Sequence, residues 1–212
     1  MVAGIAGLGS LSSLYLCTAG IGHLTIVDSG CVQPSDLNRQ ILYTEKNIGE
    51  MKTLAAKRRL SEMNSEMEID AISLEITEDN VSEMMENVHF VVDGTDNFRT
   101  RFLLNAARQR KGIPYIYGGI FGLKGAIMTI IPGKTPCLEC FLPKNEMSDS
   151  PIPVVGASVG AIAMIQVMEV LKVILHLGEI LAGELLVFDG SRTTFKKFTI
   201  KKKRDCRVCS GL

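Results

Sequence analysis

The sequence predicts an α/β fold on a doubly wound sheet, parallel in its N-terminal part and continuing into a mixed or antiparallel C-terminal part. Three observations carry this. Short runs rich in Ile and Val alternate with helical patterns up to Gly118, a glycine-rich turn opens the chain at Gly4, and beyond Gly118 strand-like runs follow with few helices between them. A length of 212 residues suits one well-buried domain spanning 1–212.

Taken in order, the glycine turn feeds a helix over 10–19, and 24–27 reads as the next strand. Helices over Lys52–Met63, 79–86 and 97–110 then alternate with strands over 69–74, 89–92 and 113–117. Past Gly118, 126–131, 185–188 and 194–200 read as strands. The stretch 152–177 is apolar and long enough to cross a bilayer, yet Gln166, Glu169, Lys172 and His176 recur at helical spacing as one polar stripe. It reads as a core helix of a soluble protein, with no membrane. Its small residues, Gly156, Ala157, Gly160, Ala161 and Ala163, allow close backbone approach, either to a second copy in a homodimer or to the protein's own sheet.

Composition narrows the partners. Lys plus Arg and Asp plus Glu balance at 23 each, so no net field draws the chain to nucleic acid or an anionic surface, and small molecules or proteins are favoured. Six cysteines without a secretory signal point to a reducing, cytoplasmic setting. Four of them form two Cys-x-x-Cys pairs, Cys137/Cys140 and Cys206/Cys209, the soft tetrahedral ligand set that zinc prefers. Two disulfides, four unrelated core cysteines and an iron–sulfur cluster are the alternatives.

The turn Gly4-Ile5-Ala6-Gly7-Leu8-Gly9-Ser10 matches G-x-G-x-x-G with alanine at the second glycine, a Rossmann-like loop whose amides and helix N-terminus can meet phosphates. Asp28 ends the next strand, where a carboxylate can accept from ribose hydroxyls. A dinucleotide-binding dehydrogenase would share both features, so they do not separate hydride transfer from ATP chemistry. Further along stand Ser35-Asp36-Leu37-Asn38-Arg39-Gln40, Gly49-Glu50-Met51-Lys52 and Asp93-Gly94-Thr95-Asp96-Asn97.

With these segments and both cysteine pairs in register, nearly the whole chain resembles the E1-like (ThiF/MoeB/HesA-type) activating enzymes. The resemblance implies ATP-dependent adenylation of a carboxylate, giving acyl-AMP and pyrophosphate. It implies ATP, magnesium and zinc, with 1–118 binding nucleotide and 119–212 binding the acceptor and zinc. Arg39, Lys52 and Asp96 would be catalytic: the two cations on the triphosphate, Asp96 holding magnesium or orienting the reacting phosphate. Asp28 would hold the ribose, and Gly4, Ala6, Gly7, Gly9, Asp36, Gln40 and Asn97 complete the nucleotide contacts. Cys137, Cys140, Cys206 and Cys209 would ligate zinc.

The chain departs from that pattern in several places. Three residues precede Gly4, where the family has a full first strand and an arm whose arginine commonly reaches the partner subunit's ATP. Gly30 replaces an acidic residue, and Asp36 replaces an asparagine. The crossover loop 144–151 lacks the cysteine that carries a thioester in some members, so the expected product is the free adenylate. Cys17 reads as core and Cys31 as a small loop filler, not as nucleophiles. The acceptor is either the C-terminal Gly-Gly of a ubiquitin-like sulfur carrier or a small-molecule carboxylate, as in the E1-like enzyme of iron-guanylylpyridinol cofactor biosynthesis. Retention of Arg39, Lys52 and Asp96 argues against a catalytically inactive scaffold subunit.

Overall fold

The computed structural model describes residues 1–142 and 153–210. Eight strands form one sheet in the order β3-β2-β1-β4-β5-β6-β7-β8. These are β1 (Val2–Ala3), β2 (His23–Val27), β3 (Glu68–Ile72), β4 (Val91–Asp93), β5 (Tyr115–Phe121), β6 (Lys124–Ile130), β7 (Glu184–Asp189) and β8 (Thr194–Thr199). The five strands from β3 to β5 are parallel neighbours, and β5 to β8 pair antiparallel. The helices are α1 (Gly7–Thr18), α2 (Lys52–Met63), α3 (Val81–Met84), α4 (Phe98–Arg110), α5 (Leu138–Phe141) and α6 (Gly156–Leu175).

Alternation along the central strands explains why both faces are covered. Val2, Ile116 and Ile127 point into a core shared with α1, α2 and α6, while their neighbours Ala3, Tyr115, Tyr117 and Met128 point into a second core with α4 and the cysteines. The strand order reverses between β1 and β4, so the helices that follow them, α1 and α4, leave toward opposite faces of the sheet and a crevice opens at the carboxyl ends of the two strands.

Several expected boundaries shift. Strand 113–117 becomes Tyr115–Phe121, running straight through Gly118 and Gly119. Those glycines are no break; a Cβ at Gly118 would lie 2.8 Å from Gln166 Cδ, and one at Gly119 would lie 2.6 Å from the Tyr117 hydroxyl. The helix expected over 79–86 shortens to Val81–Met84, α1 starts at Gly7, and α5 lies unforeseen within the first cysteine pair. Of the polar stripe, Gln166 and Glu169 face inward at 0% and 1% exposure, Lys172 is half-buried, and His176 is exposed just past the end of α6, as are Met168, Ile174 and Leu175 within the helix. Gln166 donates to the carbonyls of Asp93 and Ile116 and accepts from Ser12; Glu169 accepts from Thr129 Oγ1 and the Leu181 amide and pairs with Lys172. Carbonyls and amides left open beside the sheet make a polar seam the favourable inner face.

Candidate functional site

The crevice is built first from glycines. Gly4 has φ +83°, a left-handed backbone open to glycine, and a Cβ there would meet the Gly94 carbonyl carbon at 2.8 Å. A Cβ at Gly94 would in turn meet Gly9 Cα at 2.8 Å, so the loops after β1 and β4 touch backbone to backbone. Ala6 caps α1 with no side-chain hydrogen bond, which leaves the helix N-terminus open toward the crevice. Asp28 braces this loop: its Oδ2 accepts the Ile5 amide at 2.8 Å and its Oδ1 the Gly30 amide at 2.7 Å. From below, the buried Tyr43 hydroxyl donates to the Ile5 carbonyl at 2.8 Å, its pKa raised by burial and then by the Asp28 and Asp36 charges.

The cationic side is organised by one carboxylate. Asp36, 6% exposed, takes the Gln33 amide at 3.0 Å and the Gln40 side-chain amide at 2.8 Å. Lys52 Nζ lies 3.2 Å from one of its oxygens and Arg39 Nη2 lies 3.5 Å from the other. Arg39 also donates to the Ser35 carbonyl and Asn38 Oδ1 at 2.8 and 2.9 Å. Its stem passes the space over Gly7, where a Cβ would lie 3.8 Å from Arg39 Cδ. Two cations around one anion leave this group net positive.

The loop after β4 supplies the opposite wall. Asp93 is wholly buried, accepts the Thr95 amide and hydroxyl at 3.0 and 2.7 Å, and pairs with Arg101 Nε at 3.0 Å. Arg101 also donates to the Thr95 and Gly118 carbonyls and lies over the Phe98 and Tyr117 rings. Burial opposes its charge, but Asp93, Tyr117 and Tyr115 outweigh this and raise its pKa. The pair fixes the loop that presents Asp96, an exposed carboxylate 3.4 Å from the Asn97 amide nitrogen. Asn97 uses its own Oδ1 to cap α4 at the Thr100 amide, 2.8 Å away.

Together these walls enclose a cleft of about 320 Å³ lined by Gly4, Ala6, Asp28, Lys52, Asp96 and Asn97 among others. Gly7, Gly9, Asp36, Arg39 and Gln40 stand beside or beneath it, and Gln40 is fully buried as a prop for Asp36. Arg101, which shapes the loop, and Leu74 and Ile76, which line the cleft after β3, belong to no motif visible in the sequence. Residue type alone does not mark an Asp–Arg pair eight positions apart. The crossover loop 144–151 lies outside the described residues. Of the remaining cysteines, Cys17 is buried and donates to the Leu60 carbonyl, and Cys31 contacts Met51 Sδ.

At the other end of α4 the four paired cysteines converge. Their sulfurs all lie within 4.8 Å of one another and are buried, with Cys137–Cys206 and Cys140–Cys209 each at 3.5 Å. That spacing is far beyond the roughly 2.0 Å of a disulfide and close to the about 3.8 Å edge of a tetrahedron with 2.3 Å metal–sulfur bonds. Burial raises the pKa of Cys137 and Cys209, so the thiolate form needs a cation beside it. The donor set and geometry fit zinc. Next to them Arg108 is completely buried, its pKa lowered to about 10 by burial against the opposing charges of Cys137, Tyr115 and Cys209.

Known proteins are similar to this chain in sequence and in fold. The ThiF family profile matches residues 1–208. The chain is 37% identical to vegetative HesA of Trichormus variabilis over 210 residues, covering 99% of the chain and 79% of that protein. It is 34% identical to the sulfur carrier protein adenylyltransferase of Thermus thermophilus over 219 residues, covering 99% and 81%. It is also 37% identical to the MOCS3 adenylyltransferase and sulfurtransferase of Culex quinquefasciatus over 216 residues, covering 99% of the chain and 49%, about half, of that relative's length. A crystal structure of E. coli MccB with ATP superposes with a TM-score of 0.86 at 25% identity, covering 98% of this chain and 65% of that one.

Proposed function

The chain belongs to the ThiF family, and from that premise we propose that it adenylates a carboxylate with ATP, releasing pyrophosphate. The observation that carries this reading is the single cleft into which Asp28, Lys52 and Asp96 project around the Gly4 loop, with Arg39 at its edge. Asp28 suits the ribose, the α1 N-terminus and the loop amides suit the phosphates, and the net positive Lys52–Arg39–Asp36 group suits the charge that leaves as pyrophosphate. A carboxylate oxygen attacks the α-phosphorus, the bond to the bridging oxygen of the β-phosphate breaks, and acyl-AMP remains. Lys52 and Arg39 stabilise negative charge growing on the phosphoryl and leaving oxygens. Magnesium would be held through Asp96, where it supplies further charge neutralisation. No cysteine occupies 144–151, so an external nucleophile takes the acyl group and releases AMP.

We assign 1–118 to the nucleotide and 119–212 to the acceptor and zinc. The acceptor reading favoured here is the C-terminal carboxylate of a carrier protein. Two features support it: the Thermus thermophilus relative is named for a sulfur carrier, and the β7–β8 ladder at the edge of the cleft-bearing sheet leaves Phe195 and Phe198 exposed. The working unit is a homodimer joined at the exposed apolar side of α6, with zinc on the four cysteines tying the tail to the loop after β6. The test is pyrophosphate release from ATP and magnesium with either a Gly-Gly carrier or a pyridinol carboxylate. Release with the carrier is expected; release with the pyridinol alone moves the assignment to small molecules, and silence with both contradicts the enzyme reading.

A further inference from the structure

Arg108 is 0% exposed, and among the described residues no carboxylate pairs with it. Its Nε donates to the Asn105 carbonyl at 3.1 Å and its Nη2 to Asn105 Oδ1 at 2.7 Å, while Nη1 has no hydrogen-bond partner. Asn105 Oδ1 also accepts the amide of Leu138, the residue after Cys137, at 3.3 Å, and Asn105 Nδ2 is likewise unmatched. The buried guanidinium is therefore hung one residue from a cysteine of the cluster, with spare N–H groups on both side chains. Arg108 and all four cysteines are buried, and Leu104 and Ala107 of the same helix pack in one core with them.

A buried guanidinium without an anion is unfavourable, and so is a buried anion without a cation. Four thiolates around one divalent ion carry a net charge of two minus, which makes each group the answer to the other's desolvation. We infer that Arg108, oriented by Asn105, is the counter-charge of a four-cysteine metal centre and holds its sulfurs by donating N–H groups toward them. This rests on the zinc reading above. It makes Arg108 a positioning residue for the metal and places α4 between the two sites, with Asn97 at its cleft end and Arg108 near its other end.

The test compares zinc-loaded wild type, Arg108→Met and Arg108→Lys. Metal content is measured by mass spectrometry, and zinc release by challenge with 4-(2-pyridylazo)resorcinol. Loss of an outer-shell partner is expected to speed release from Arg108→Met by roughly 10- to 100-fold, with Arg108→Lys between it and wild type. Wild type without zinc ends the metal reading itself. Zinc-bearing wild type whose Arg108→Met variant releases metal at the same rate overturns the role of Arg108 alone. Should Arg108→Met not fold, cobalt-loaded wild type and Arg108→Lys decide: a shifted thiolate-to-cobalt band supports sulfur-directed N–H groups, and identical bands and release rates overturn them.

Discussion

Asp36 shows how one residue sets the chemistry of the cleft. Its two oxygens hold Lys52 and Arg39 at 3.2 and 3.5 Å, so both cations are aligned beside the cleft. With the carboxylate buried, this alignment does not depend on flexible surface contacts. Alanine at Lys52, Arg39 or Asp96 is expected to lower the adenylation rate by roughly 10² to 10³, the range for removing one preorganised group from developing charge. Serine at Cys17 or Cys31 should leave the rate near wild type, since the buried Cys17 thiol donates to a backbone carbonyl and the Cys31 thiol to the Met51 thioether. Stopped-flow or coupled pyrophosphate assays check both; equal losses in all five variants would mean that the roles are misassigned. In the sequence, Arg39, Lys52 and Asp96 were marked by the segments that carry the resemblance to the E1-like enzymes, and their roles came from that resemblance. Arg101 and the partners of Gln166 were not marked, because a carboxylate eight positions away and distant backbone carbonyls are brought to them only by the fold.

At the scale of elements, α6 carries the clearest lesson. Its polar residues at helical spacing fit a stripe, and the first two of them lie against the sheet, where Gln166 and Glu169 satisfy backbone groups, while Met168, Ile174 and Leu175 leave an exposed apolar side. Polarity alone does not give the direction a stripe faces; the count of open hydrogen-bonding groups on each side does. An exposed apolar helix side is an interface candidate. Met168→Glu is expected to shift the protein from dimer to monomer in sedimentation while circular dichroism stays unchanged. Wild type that sediments as a monomer, or a variant that remains a dimer, would show that the interface lies elsewhere. Strand ends were less legible than strand centres. His23 and Glu68 join their strands through ladder pairing with each other, and β1 is only two residues between β2 and β4. Backbone pairing, not a hydrophobic run, defines both cases.

For the whole molecule, the order of strands explains why a cleft and a cysteine cluster coexist on one domain. In the parallel half the order in which strands are added reverses between β1 and β4 and opens the crevice; the antiparallel half returns the tail so that Cys206 and Cys209 reach Cys137 and Cys140. The change of pattern after Gly118 was visible in the sequence because the strand-like runs beyond it, apart from the pair that flanks the long helix, follow one another with no helix between them. The central claim is that a carboxylate, rather than water, attacks the α-phosphate in this cleft. Its most direct test uses the acceptor that stimulates pyrophosphate release, with both carboxylate oxygens labelled with heavy oxygen, and analyses the nucleotide after an external nucleophile has consumed the adenylate. AMP carrying one heavy oxygen, formed in equal amount with pyrophosphate, is the predicted result; unlabelled AMP, or ADP in its place, would contradict it.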